Sequence, residues 1–404
     1  MIRLGIDRVL EETELRKRLH GRRVALLGHP ASVTSKLVHS LDALCDSGHF
    51  KVTAAFGPQH GMRGEKQYNM IESDDYVDPV RKIPVYSLYG AVRRPTKEMM
   101  ASFDVVLVDL QDVGCRIYTY LTTLHYMLEA CAQYKKEIWV LDRPNPAGRP
   151  IEGNLLEKGQ ESFVGTSQIV MRHGLTMGEL ARWLRHKHRL DVNCEIIEMQ
   201  GYDPNEGPGF GWPLASLAWV NPSPNIPTLS SARVYAGTVL IEGTNFSEGR
   251  GTTRPLEVIG HPQMRPQELL DWMKNFAPQW MQGCSVRSCF FQPTFYKFKD
   301  ELCAGIQFHA DDSNYDPLKF QPFRWVVSFL KAAQIVQPGL LKWREPPYEY
   351  ETSRLPIDVI NGGQLIRNWI DDPNGKASDL DKILTRDEQA WRLERRPHLI
   401  YKDG

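Results

Sequence analysis

No stretch of this chain approaches the roughly 18 consecutive apolar residues of a membrane-spanning helix. The opening residues, MIRLGIDRVLEETELRKRL, are amphipathic and lack the apolar core of a secretion signal. An excess of one charge is also missing. The 49 Lys and Arg balance the 49 Asp and Glu, so the formal net charge is zero, without the basic footprint expected of a nucleic-acid-binding protein. There is no Cys-x-x-Cys pair. The seven cysteines are scattered at 45, 115, 131, 194, 284, 289 and 303, which fits free thiols in a reducing compartment better than a disulfide frame or a zinc site. These absences together point to a cytoplasmic protein with neither nucleic acid nor membrane as a partner.

Catalytic signatures are missing too. After the first predicted strand stands Gly28-His29-Pro30-Ala31-Ser32 in place of a G-x-G-x-x-G fingerprint, and no P-loop is present. No H-E-x-x-H spacing marks a metal and no G-x-S-x-G elbow marks a serine nucleophile. No cofactor and no metal are expected.

What the chain does have is a succession of short apolar strands that run into polar motifs. Strands are predicted at Val24–Leu27, Val52–Phe56, Pro84–Leu88, Val105–Leu110 and Ile138–Leu141, with a further one at Glu195–Met199. Helical patterns alternate with them: an apolar face at Leu37, Val38, Leu41 and Leu44, a stripe from Ile117 through Leu121, Leu124, Leu128 and Cys131, and a capping box at Thr176-Met-Gly-Glu179. Strand, helix, strand in series implies right-handed crossovers and a mostly parallel α/β sheet. The last third has an α+β texture, with strands near 256–259 and 303–309 and helices near 266–276 and 322–335. A length of 404 residues makes two domains the default.

In an open α/β sheet the ligand crevice lies at the carboxyl ends of the strands, so the motifs there are the candidate site. In Gly57-Pro-Gln-His-Gly-Met-Arg-Gly-Glu65 the glycines permit close backbone approach. Within it His60 can move protons near neutral pH, Arg63 can grip a carboxylate and Glu65 can act as acid or base. Asp112 and Arg116 stand at an expected helix start, where a capping role for Asp112 is as good an explanation as a functional one. Asp109 alternates with buried strand residues and is expected to bond a backbone donor. Asp142-Arg143-Pro144-Asn145-Pro146 is a turn stiffened by two prolines; it either orients Asp142, Arg143 and Asn145 toward a ligand or holds a structural Asp142–Arg143 pair. Glu242 and Glu248 flank Asn245 in a glycine-containing segment followed by Arg250. A second carboxylate brought over the rim completes the acid/base pair that glycoside hydrolysis needs; the bland alternative is a solvated loop.

Taken together, these motifs resemble the exo-β-N-acetylmuramidase family (NamZ-type, glycoside hydrolase family 171), long known as a domain of unknown function. The resemblance rests on Gly57-Pro-Gln-His-Gly-Met-Arg-Gly64, Pro84–Gly90, Val108-Asp-Leu-Gln-Asp-Val-Gly-Cys-Arg-Ile-Tyr-Thr-Tyr120, Leu141-Asp-Arg-Pro-Asn-Pro146, Pro222-Ser-Pro-Asn-Ile-Pro227, Glu242-Gly-Thr244, Gly249-Arg-Gly-Thr252 and Leu302-Cys-Ala-Gly-Ile-Gln-Phe-His309, and so covers nearly the whole chain. It implies a Rossmann-like catalytic domain with helices on both faces of the sheet, residues 1–255, and a smaller α+β domain, residues 256–404, closing the cleft. It also implies release of N-acetylmuramic acid from the non-reducing end of peptidoglycan fragments, with a small carbohydrate or muropeptide as partner and no cofactor.

One position departs from the family. Members usually carry glutamate in Pro-Glu-His-Gly, where this chain has Gln59, and an amide is neither a general acid or base nor a carboxylate nucleophile. The catalytic expectation therefore moves to Glu65 and Glu242, with Asp112 in reserve and His60 beside the reacting bond. Gln59, Arg63, Arg116, Tyr118, Asp142, Arg143, Asn145, Asn225 and Arg250 are expected to bind substrate, one of the arginines holding the lactyl carboxylate, and Trp212 or Trp219 to stack on a sugar face. Gln59 also leaves open a non-hydrolytic sugar-binding protein on the same scaffold, or a hydrolase with another substrate. Many relatives carry a secretion signal or lipoprotein anchor that is missing here, which fits a cytoplasmic role in cell-wall recycling.

Overall fold

The computed structural model describes residues 2–64, 66 and 70–403. Seven strands form the larger sheet: β1 Arg23–Gly28, β2 Lys51–Gly57, β3 Tyr76–Val77, β4 Pro84–Ser87, β5 Val105–Asp109, β6 Glu137–Leu141 and β7 Cys194–Ile197. Their order is β3-β4-β2-β1-β5-β6-β7. All pairs are parallel except β3 with β4. The parallel strands lie within one or two residues of the expected ones, and the order reverses between β1 and β5, as in a doubly wound fold.

The strands are apolar on both faces because helices cover both. Ala25, Leu27, Val106 and Val108 face a core shared with the helices Tyr120–Tyr134 and Met177–Lys187. Val24, Leu26, Val105 and Leu107 face a second core against Gly5–Glu11 and Ser40–Asp46. The capping box at Thr176 forms as expected, with Thr176 and Glu179 exchanging hydrogen bonds.

Two helix starts differ from expectation. The helix expected to include Leu37 and Val38 begins at Ser40. Leu37 has φ 62° and lies half exposed, and the His39 side chain accepts from the Leu41 N–H to cap the helix instead. The helix expected to follow Gly114 begins at Tyr120, so neither Asp112 nor Arg116 stands at its N-terminus.

The smaller layer is a three-stranded antiparallel sheet, β8 Val258–His261, β9 Ser285–Phe291 and β10 Cys303–His309, in the order β8-β10-β9. The helices Pro266–Phe276 and Pro322–Val336 pack with it. The helix Leu229–Thr238 packs on Pro322–Val336, and the 3₁₀ turn Val239–Gly243 packs on the helix Pro356–Asn361. Gly243 permits that contact, since a Cβ there would lie 2.8 Å from the Ile357 Cα. Among the described residues no helix is long and apolar enough to cross a membrane.

Candidate active site

A polar cleft opens where the loops beyond β2 and β5 meet the smaller layer. The first loop contributes Gln59 and His60 and the second Tyr118 and Thr119. Ser223 and Asn225 come from the proline-rich connection, Tyr235 from the helix Leu229–Thr238, and Glu242 and Arg250 from the segment after it. Tyr348 and Glu349 close the cleft from the far end of the chain.

One side of the cleft is a compensated charge network. The Arg250 guanidinium donates through Nη2 to Glu242 Oε1 at 2.5 Å and through Nε to Glu248 Oε1 at 3.0 Å. Lys297 Nζ donates to Glu248 Oε2 at 3.0 Å and to the carbonyls of Ile241 and Phe246 at 2.9 and 2.8 Å. Tyr348 donates its hydroxyl to the other oxygen of Glu242 at 2.8 Å. Two carboxylates thus face two cations, three of the four groups buried and Lys297 partly so, which is the condition for keeping charge in a low-dielectric site. Burial opposes the charge of Arg250, but Glu242 and Glu248 outweigh it and raise its pKa. Burial likewise disfavours the charged form of Glu248, yet Lys297 and Arg250 bring its pKa below the usual value.

The same cleft holds a second carboxyl group, Glu349, whose hydrogen-bond partners among the described residues are neutral. Glu349 accepts from the Gln59 side-chain amide at 3.1 Å through one oxygen and from the Tyr89 hydroxyl at 2.8 Å through the other. Burial, reinforced by the charge of Glu242 and opposed by these two donors and by the charge of Arg250, raises its pKa to about 7. Thr119 fixes the amide by donating to Gln59 Oε1 at 2.8 Å. His60 is held at φ 72°, with Nδ1 3.1 Å from the Lys66 carbonyl. Only an Nδ1–H can make that bond, so the other ring nitrogen is left as an acceptor. Burial, with Arg250 adding to it, pushes the His60 pKa down to about 4, so the ring is neutral at pH 7.

Of the expected site residues, Gln59, His60, Tyr118, Asn225, Glu242 and Arg250 line this one cleft. Glu65 lies outside the described residues. The others are placed elsewhere and engaged. Arg63 makes a two-pronged contact with Asp42 at 2.7 and 2.9 Å. Asp112 accepts from the Gly114 N–H at 2.6 Å and faces His173 Nε2 at 3.1 Å, closing its own turn. Arg116 is buried and donates to the carbonyls of Asn154, Ile169, Ile360 and Asn361, stitching the two halves of the chain together. Asp142 accepts from Thr176, Gly178 and Tyr401. Arg143 pairs with Asp109, at 2.5 and 3.0 Å, and not with Asp142. Asp109 also accepts from the Ser40 hydroxyl at 2.5 Å, so its partners are side chains and not the expected backbone donor. Asn145 bonds the carbonyls of Gly148 and Leu175. Trp212 and Trp219 pack edge to face on each other, with indole N–H groups on the carbonyls of Leu217 and Ile226; neither lines the cleft.

The rim directly above β1 is filled. His29 Nε2 accepts from the Gln111 N–H at 2.8 Å, so its Nδ1–H donates to the Pro222 carbonyl at 3.2 Å. Tyr120 donates to the same carbonyl at 2.7 Å with its ring 4.7 Å from the imidazole. The cleft therefore lies beside the topological switch point, toward β2 and the smaller layer.

Glu349 is the titratable carboxyl of the cleft that reasoning from the sequence missed, together with its neighbour Tyr348, its partner Tyr89 and the cleft residues Thr119, Ser223 and Tyr235. The available signal was Pro346-Pro347-Tyr348-Glu349-Tyr350, a stiff aromatic and acidic stretch in a region otherwise read only for its helices and strands.

Comparison with known proteins agrees along the whole chain. The family model described as Exo-beta-N-acetylmuramidase NamZ, N-terminal, matches residues 24–230, and its C-terminal counterpart matches residues 233–401. The chain is 36% identical to the peptidoglycan beta-N-acetylmuramidase NamZ of Bacillus subtilis (strain 168), over 99% of this chain and 91% of that protein. Two crystal structures of DUF1343 family proteins from Bacteroides fragilis share the fold. One has a TM-score of 0.85 at 28% identity and covers 99% of both chains; the other has a TM-score of 0.74 at 25% identity and covers 100% of both.

Proposed function

The chain belongs to the exo-β-N-acetylmuramidase NamZ family, and from that premise we propose that it is an exo-acting glycosidase releasing N-acetylmuramic acid from the non-reducing end of peptidoglycan fragments. The observation that carries this reading to the chain's own residues is the pair of carboxyl groups, Glu242 and Glu349, in one polar cleft. Two carboxyl groups flanking the scissile bond are the usual requirement of glycoside hydrolysis. Arg250 commits Nε and Nη2 to the glutamates; we assign its third nitrogen, Nη1, to the lactyl carboxylate of the sugar, which a guanidinium matches in shape and charge. Tyr118, Asn225 and Ser223 supply neutral hydrogen-bonding groups around the ring. A small muropeptide is the substrate, and the seven unpaired cysteines fit catalysis in a reducing cytoplasm.

The test is dye release from an aryl β-N-acetylmuramoside beside the matching N-acetylglucosaminide. The expected result is a preference of at least about 100-fold for the first, since a site built to pair a carboxylate rejects the analogue lacking it. Cleavage of neither by folded protein would overturn the proposal.

A further inference from the structure

We infer that Glu349 is the acid that protonates the leaving oxygen, and that Gln59 has become the residue that positions it. The inference rests on the muramidase reading and names the proton donor that the Pro-Gln-His-Gly loop cannot provide.

Three independent features single out Glu349. The first is the backbone that carries it. Tyr348 and Glu351 exchange N–H···O=C bonds, both at 2.9 Å, so Glu349 and Tyr350 form the tip of a two-residue hairpin. Both tip residues have positive φ, 44° and 70°. Asn-Gly or Gly-Gly normally occupies such a turn, and a non-glycine residue is strained there unless its surroundings hold it. Here they do: Tyr350 packs against Tyr89 and Phe163, with the Arg93 guanidinium 3.8 Å from its ring centroid. Strain maintained in this way aims one carboxyl group into the cleft.

The second feature is the chemistry of the partners. Glu242 is ion-paired, whereas the partners of Glu349 among the described residues are an amide and a phenol. A carboxyl buried without a cation favours its protonated form, and the charge of Glu242 reinforces this. The cleft thus contains one ion-paired and one protonatable carboxyl group, the division of labour that acid-assisted glycoside cleavage needs.

The third is the orientation of Gln59. Because Thr119 donates to Oε1, the NH₂ end must face Glu349. A carboxylate at position 59 would place a competing charge there; the amide instead donates to Glu349 and leaves its proton available to substrate. In the proposed step Glu349 gives that proton to the glycosidic oxygen as the bond to the anomeric carbon breaks, the electron pair leaving on oxygen. Water then adds its hydroxyl to the anomeric carbon, and its remaining proton returns to the cleft carboxylates. The net change is hydrolysis of one glycosidic bond.

The decisive experiment compares E349Q with wild type on two muramosides: a disaccharide, whose leaving alcohol needs a proton, and a dinitrophenyl glycoside, whose leaving group does not. Loss of general-acid catalysis is worth about 10²–10⁴-fold. E349Q is expected to fall by that factor on the disaccharide, to stay within about tenfold on the activated glycoside, and to lose the basic limb of the kcat/KM profile near pH 7. Equal losses on both substrates, or an unchanged basic limb, would overturn the role of Glu349 while leaving the muramidase reading intact. An inactive wild type would overturn both. Y89F gives a second reading if E349Q folds poorly: removing a donor that favours the ionised carboxyl should move the basic limb to higher pH, and an unmoved limb would contradict the proposal.

Discussion

The two walls of the cleft are buried alike but handle charge in opposite ways. On the Glu242 wall, two carboxylates meet Arg250 and Lys297, and every charge has a partner of opposite sign. Around Glu349, among the described residues, no cation hydrogen-bonds the carboxyl group; its partners are the Gln59 amide and the Tyr89 hydroxyl, and Arg250 acts on it only at longer range. Burial alone therefore does not decide protonation. A cation within hydrogen-bonding distance keeps a buried carboxyl charged, while neutral donors leave desolvation dominant. The same contrast separates an ion-paired group, suited to stabilising positive charge at the anomeric carbon, from a group suited to giving up a proton.

Breaking the charged wall has the largest expected effect. Glu242→Gln should lower kcat by about 10³-fold or more while the folded protein persists, as judged by its thermal transition. Activity near wild type would remove Glu242 from the reaction. Next comes Lys297→Met, which leaves the Glu248 carboxylate short of a partner. Breaking a buried ion pair costs about 3–5 kcal/mol, to be read as a lower midpoint in urea unfolding. A change under about 1 kcal/mol would mean that Arg250 alone suffices for Glu248.

The neutral wall has its own signature in stability. The Glu349 pKa is raised in the fold, from 4.5 to about 7. Its protonated form therefore stabilises the fold fully below pH 4.5, and that contribution is lost as pH rises through 7. Wild type minus E349Q isolates it. The stability difference should shift against wild type by up to roughly 3 kcal/mol between pH 4 and 8. A difference that is flat with pH would show that Glu349 ionises normally.

Gln59→Glu sharpens the comparison with a smaller effect. A second carboxyl beside Glu349 should keep disaccharide cleavage within about tenfold and move the basic limb upward, because like charges 3 Å apart disfavour double ionisation. A gain of about 10³-fold would instead show that a carboxylate is needed at 59, as in the family pattern. Smallest of all, Trp212→Phe should leave KM for a muramoside within about twofold, since that indole is held by the Leu217 carbonyl away from the cleft.

Much of the fold was legible because parallel strands buried on both faces read as apolar runs, a pattern that β1, β5 and β6 carry nearly throughout and β2 in its second half. Two strands escaped it. Tyr76–Val77 has two residues, and Ser285–Phe291 alternates weakly, with Phe290 exposed. At the site the rule that ligands gather at strand ends led to the loops after β2 and β5, and Gln59, His60 and Tyr118 do line the cleft. The same rule equally favoured Asp112, Arg116, Asp142, Arg143 and Asn145. A polar side chain at a strand end can turn toward a ligand or into the protein's own framework, and these five do the latter. That choice depends on partners distant in sequence, such as Tyr401 for Asp142 and Asn361 for Arg116. Glu349 was hidden for the same reason, since it enters the cleft from 290 residues beyond Gln59.

The most direct test of the contrast between the walls is a carboxyl titration by NMR with ¹³C-labelled glutamate, in wild type and in E349Q. The expected result is a carboxyl resonance titrating near pH 7 that is present in wild type and gone in the variant. If no resonance titrates near neutrality, or if every one that does persists in E349Q, the two walls hold their carboxyl groups in the same state and the assignment of acid and ion-paired partner fails.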